Sequence, residues 1–194
     1  MEFSELLKKW NADLLKDDGI EEAVSPEHLK AKWLGISPAS LDEIAAGENR
    51  LGVELPQSYR EFLLMANGWV YPGNDMDFPG QLRSIDAVAW FKDEDSEWIG
   101  AWEETNGQCV SDEEYFVYGE EQDTVTLRSE YLRYCLKISE SSEGGVYLLN
   151  PKVVSKTGEW EAWHFSDELP GATRCRSFRE LVKQQRALFR QMRE

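Results

Sequence analysis

The sequence predicts a single α+β domain in which an antiparallel or mixed sheet is flanked by helices from both chain ends. Three observations predict it. Apolar residues in the first third recur at helical spacing, from about residue 114 to 165 they gather in short β-branched and aromatic runs, and from Phe178 the helical period returns. A chain of 194 residues, 41% hydrophobic with eight Trp, can bury a bulky core.

Phe3, Leu6, Leu7, Trp10 and Leu14 lie on one stripe, so residues 1–35 are expected to form a helical extension packed on the domain formed by 36–194. The acidic flanks Glu2, Glu5, Asp13, Asp17 and Asp18 oppose a membrane-surface role, which favours Lys and Arg. Residues 16–24 read as a loop. Ser25-Pro26 then opens a short helix through Leu29 and Trp33 that closes at Gly35.

Two punctuated helices follow. Ser37-Pro38 is a cap and first turn, Leu41, Ile44, Ala45 and Leu51 form the apolar stripe, and Gly52 supplies the stop. Leu55-Pro56 is an extended link, because the residue before proline is driven out of the helical region. Tyr59, Phe62, Leu63 and Ala66 then fit a second helix that exits at Asn67-Gly68, with Trp69 as an apolar plug.

This stretch resembles the SUKH superfamily, whose members include bacterial toxin-immunity proteins and fungal cell-wall regulators. The resemblance rests on Leu51-Gly52, Leu55-Pro56, Tyr59 to Phe62 and Asn67-Gly68, with weaker echoes at Gly144 to Pro151 and at Ser177 to Leu181. It implies the SUKH fold and a protein-binding role. Every residue of the signature also has a structural task as cap, turn or core, so these positions, Trp69 included, are expected to carry fold, not chemistry.

Beyond Trp69, Tyr71 to Gly80 reads as an exposed loop. Ser84 is expected to cap a helix through Ile85, Val88 and Ala89, and Trp98, Ala101 and Trp102 mark another, approached by Asp93-Glu94-Asp95 and ended by Asn106-Gly107. Tyr115 to Tyr118, Val125 to Leu127, Tyr134 to Ile138, Val146 to Leu149 and Trp160 to Phe165 read as strands, with turns at Gly144-Gly145 and Thr157-Gly158. Phe178, Leu181, Val182, Phe189 and Met192 form the closing helix.

The formal charge of −16 opposes direct binding of nucleic acid and favours a basic partner. Cys109, Cys135 and Cys175 lack disulfide or zinc spacing. With neither a signal peptide nor a membrane-length apolar run, the chain is expected to be cytoplasmic. No nucleophile, phosphate-loop, dinucleotide or metalloprotease motif is present, and His164 sits in a Trp-rich run where a structural role is the simpler account. No catalytic, metal or cofactor residue is assigned, and no enzyme activity is expected.

The charge is unevenly placed. Between Asp75 and Asp123, fifteen acidic residues face only Arg83 and Lys92, whereas from Ala172 onward seven basic residues face Glu180 and Glu194, which predicts a dipolar molecule. The acidic stretch supplies the candidate partner surface: Asp93, Glu94, Asp95, Glu97, Glu103, Glu104, Asp112, Glu113 and Glu114 for steering, with Trp98 and Trp102 as anchors. Two functions implied by the SUKH resemblance are expected to compete. One is an immunity protein that neutralises a basic, nuclease-type toxin; the other is a cytosolic adaptor for endogenous partners.

Overall fold

The computed structural model describes residues 2–74, 76–106, 110–166 and 171–193. Asp75, Gly107 and Cys109, to which the sequence analysis gave roles, lie outside the described residues. β1 (Ala89–Trp90), β2 (Leu136–Lys137), β3 (Val146–Val154), β4 (Trp160–Ser166) and β5 (Gly171–Cys175) form one antiparallel sheet in chain order. The chain is thus a single α+β domain.

Alternation along the strands divides the core in two. Tyr147, Leu149 and Ala162 point to one face, while Val146, Leu148, Trp163 and Phe165 point to the other. The first face packs α1 (Phe3–Leu14), α4 (Leu41–Leu51), α5 (Gln57–Met65) and α9 (Phe178–Gln191). The second is covered by the long connection between β1 and β2, which carries α6 (Phe91–Glu94), α7 (Ser96–Asn106) and α8 (Asp112–Tyr115). The short α2 (Ile20–Ala23) and α3 (Pro26–Ala31) link α1 to α4.

The amphipathic stripe of α1 is fully used: Phe3, Leu6, Leu7, Trp10 and Leu14 are buried. Each such side chain contributes roughly 1.5–3 kcal/mol on leaving water, so α1 belongs to the main core. Asn11 ties down the chain beyond it, donating to the Lys32 carbonyl at 3.0 Å and accepting from Leu34 N–H at 2.9 Å. Lys32, in the left-handed region, closes α3 three residues before the expected Gly35.

The signature helices form with one shift. Ser40, not Ser37, caps α4, in a capping box with Glu43, and Leu41 and Ala45 consequently face solvent while Ile44, Gly47 and Leu51 face the core. Gly52 is the expected C-cap. Glu48 joins the pieces: it accepts from Leu55 N–H at 2.8 Å and pairs with Arg60 at 2.6 Å. In α5, Tyr59, Phe62 and Leu63 are completely buried, with Ala66 behind them.

Asn67-Gly68 does more than end a helix. Asn67 accepts from Ile85 N–H at 2.7 Å, and a Cβ on Gly68 would lie 2.9 Å from both Ile36 Cδ1 and the Leu82 carbonyl. At φ +115° only glycine sits there without strain. Trp69 follows with no exposed surface, and single bridges Gly35–Trp69, Trp69–Leu82 and Leu82–Ser139 continue the sheet beyond β2.

Several sequence expectations are corrected. The 16–24 loop contains α2, and the Tyr71 to Gly80 loop is irregular but buries Tyr71 and Phe78. Ser84 starts a turn that leads into β1 instead of a helix. Tyr115 to Tyr118 and Val125 to Leu127 are not strands: the first falls in α8 and the turn after it, and the second is a loop. The sheet accordingly comes from 89–90 and 136–175, with β1 and β5 unanticipated. The dipole is also weaker than composition suggests, because Arg193, Arg186 and Arg179 of the C-terminal segment pair with Asp17, Asp13 and Glu61.

Candidate protein-binding surface

The acidic candidates all lie on the helical layer over the second face of the sheet, and the structure sorts them by what holds them. Glu94 meets Arg83 at 2.9 Å and Lys137 at 3.4 Å, while Asp95 meets Lys137 at 2.6 Å. Both cations are nearly buried. Burial opposes the charge on Arg83, but hydrogen bonds to Glu94 and Glu140 outweigh it, and its pKa stands above the ordinary arginine value. The Arg83 hydrogen bond in turn holds the Glu94 carboxyl below the usual range.

Glu103 is held by Arg133 and Asp112 by Arg128, and Glu114 completes a capping box with Ser111 at the start of α8. Hydrogen bonds from Arg133 and from Ser111 lower the pKa of Glu103 and Glu114 respectively. These carboxylates are engaged within the molecule. Asp93, Glu97, Glu104 and Glu113 are exposed, and among the described residues none has an ion-pair partner. Glu97, Ala101 and Glu104 share the solvent face of α7 at helical spacing.

The two anchors are placed differently from the expectation. Trp102 is 7% exposed and packs on Phe165, with ring centroids 5.4 Å apart; Trp98 is half-buried against Phe91 and Phe165. Their area is largely spent on the second core. Apolar side chains left in the open on this connection include Val125, Tyr134 and Phe116, the last 46% exposed at the end of α8, two residues after the acidic run. Sequence reasoning missed Phe116 by assigning Tyr115 to Tyr118 to a strand.

A buried network fixes α8 and its continuation to the sheet. Glu161 of β4, 1% exposed, accepts from Tyr115 Oη at 2.6 Å, Tyr118 Oη at 2.8 Å, Trp163 Nε1 at 2.8 Å and Asn150 Nδ2 at 3.0 Å. Arg174 of β5 lies 3.6 Å from the same carboxylate, stacks on Tyr115 and donates to the Tyr115 carbonyl. Burial, then the Glu161 charge, pushes both tyrosine hydroxyls far above their ordinary pKa, so they remain donors. The signal was legible only in part, since Glu161 and Arg174, each set among apolar residues of β4 and β5, could have suggested a buried pair.

His164 is 3% exposed and its Nε2 donates to the Gly144 carbonyl at 2.6 Å. Its other ring nitrogen faces Gln185, which accepts from Tyr147 Oη at 3.0 Å. Burial lowers its pKa and keeps it neutral. No nucleophile stands beside it among these partners. Two open clefts of about 590 and 600 Å³ lie elsewhere, and neither is lined by a residue of α6, α7 or α8. Among the described residues no group of His, Cys, Asp and Glu is arranged to hold a metal ion, and no helix is long and apolar enough to cross a membrane.

A sheet with helices on both faces, an α4–α5 pair punctuated by Gly52, Leu55-Pro56 and Asn67-Gly68, and a closing α9 are the parts that a family comparison can test. The model of the SMI1 / KNR4 family (SUKH-1) matches residues 38–184. The chain belongs to the SUKH-1 family. A search among curated proteins finds no match. The matched span of this SUKH chain starts after α1, although α1 fills the same core, and it includes every acidic candidate on α6 to α8.

Proposed function

We propose that this SUKH chain is a non-catalytic immunity protein that binds and neutralises a basic toxin of nuclease type in the cytoplasm. The observation that carries the proposal is the set of unneutralised carboxylates Asp93, Glu97, Glu104 and Glu113 on one helical layer of an already acidic protein. A nuclease surface presents Lys and Arg to phosphates, and an inhibitor that covers it gains by offering carboxylates in their place. Phe116 supplies apolar area beside them. The buried Glu161 network adds preorganisation, since α8 does not have to be ordered when the partner arrives.

A second reading, carried by the resemblance to the fungal cell-wall regulators of the SUKH superfamily, is that the same surface serves a regulatory adaptor for endogenous proteins. Capture by the tagged chain from cells that produce it, followed by mass spectrometry and a nuclease assay of the captured protein, tests both. A basic nuclease whose activity falls on stoichiometric addition of this chain supports immunity. Capture of endogenous proteins without such activity supports the adaptor.

A further inference from the structure

The outer edge of β5 is closed by one side chain and one backbone carbonyl instead of a strand. In an antiparallel pair, alternate residues turn their amide and carbonyl groups away from the neighbour, and the segment after α8 meets the amide of Ala172 and both groups of Arg174. Ala172 N–H donates to the Thr124 carbonyl at 3.0 Å. The Gln122 carboxamide takes both groups of Arg174: Oε1 accepts from its N–H at 2.6 Å and Nε2 donates to its carbonyl at 2.8 Å. A primary amide carries donor and acceptor side by side, so Gln122 imitates one residue of a sixth strand. The approach is close. At Gly171, with φ +132°, a Cβ would lie 1.9 Å from the Thr124 oxygen.

We propose that Gln122 is a clasp that guards this edge, and that releasing it lets β5 pair antiparallel with β5 of a second copy of this chain. An open edge is a template for another strand, and a two-fold axis beside β5 would set the outward N–H and C=O groups of Ala172 and Arg174 against the same groups of the copy. While the clasp is closed, the exposed carboxylates of Glu120, Glu121 and Asp123 flank it and repel an incoming acidic copy. Tyr118, bonded to Glu161, anchors the segment just before the clasp. This inference is independent of the toxin proposal.

The test uses the full chain with Gln122→Ala and with Gln122→Glu, which keeps an acceptor for Arg174 N–H but sets a carboxylate against the Arg174 carbonyl. Amide exchange by NMR and sedimentation over a range of concentrations are measured against the wild type. In dilute Gln122→Ala, exchange at Arg174 rises about threefold to tenfold, the loss of one hydrogen bond, while β3 amides keep their protection. On concentration its mass rises towards a dimer and Arg174 regains protection, and the wild type does neither; Gln122→Glu falls between. Unchanged Arg174 exchange in both variants overturns the clasp. Faster exchange without a mass increase beyond that of the wild type overturns the pairing.

Discussion

Trp10 lies flat on Trp69, with ring centroids 5.2 Å apart and planes 8° from parallel. Trp33 meets the same ring edge-on at 5.1 Å, and Phe62 closes a third side at 6.4 Å. The last residue of the signature is therefore clamped by a helix that precedes the family match. The N-terminal segment is bound to the domain through this stack and through Asp13 and Asp17.

The stack predicts that Trp10→Ala costs about 3–5 kcal/mol, as much as Trp69→Ala, while Leu55→Ala and Phe62→Ala cost about 2–5 kcal/mol. Urea unfolding followed by fluorescence measures each. The protein that still folds is expected to bind its partner as the wild type does. A fully stable Phe62→Ala variant that lost its partner would give the signature a recognition role.

Legibility followed how completely local pattern determined structure. The stripes of α1, α5 and α9 were readable because every third or fourth residue is apolar; the exception is in α9, where Met192 lies beyond the helix end and is exposed, while Gln185 is buried on the stripe to meet Tyr147. At α4 two serines competed. Only Ser40 has a glutamate three residues on, which is the capping-box signal that should have chosen it. The run around Tyr115 and Tyr118 misled because aromatic residues usually signal strands, whereas here their hydroxyls serve a buried Glu161. β5 escaped because Gly-Ala-Thr-Arg-Cys has weak strand character and its arginine is buried only through that distant carboxylate. Of the acidic candidates, sequence could give the layer but not which were free, since their cations come from far along the chain.

Glu161→Gln removes the charge that faces Arg174 and leaves a buried guanidinium unpaired, which costs about 3–5 kcal/mol. The defect is expected to be local first. Amide exchange should rise across 112–122 before β3, and equal acceleration in both regions would count against a network that specifically holds α8.

His164 gives stability a dependence on pH. Its folded pKa lies below the ordinary 6.5, so the unfolded chain binds the proton first; stability is full above about pH 6.5 and falls as pH drops towards the folded value. One such site gives a slope of up to about 1.4 kcal/mol per pH unit. Glu94, Glu103 and Glu114 are lowered from 4.5 and lose their contributions only as pH falls below that. Urea midpoints between pH 6.5 and 5.5 should therefore slope in the wild type and flatten in His164→Gln. An identical slope in both would assign the effect elsewhere.

We propose that the unneutralised carboxylates steer a basic partner. The most direct measurement of this steering is the association rate with the captured partner, at several salt concentrations, for Asp93→Asn, Glu97→Gln, Glu104→Gln and Glu113→Gln combined. Steered association reaches about 10⁸ to 10⁹ M⁻¹s⁻¹ at low salt, and removing the steering charges acts mainly on that step. Slower association with a flatter salt dependence is expected, with little change in dissociation and a smaller effect from neutralising the already paired Glu103 and Asp112. Association rates and salt dependence equal to those of the wild type would contradict the steering and leave the layer a solvated face.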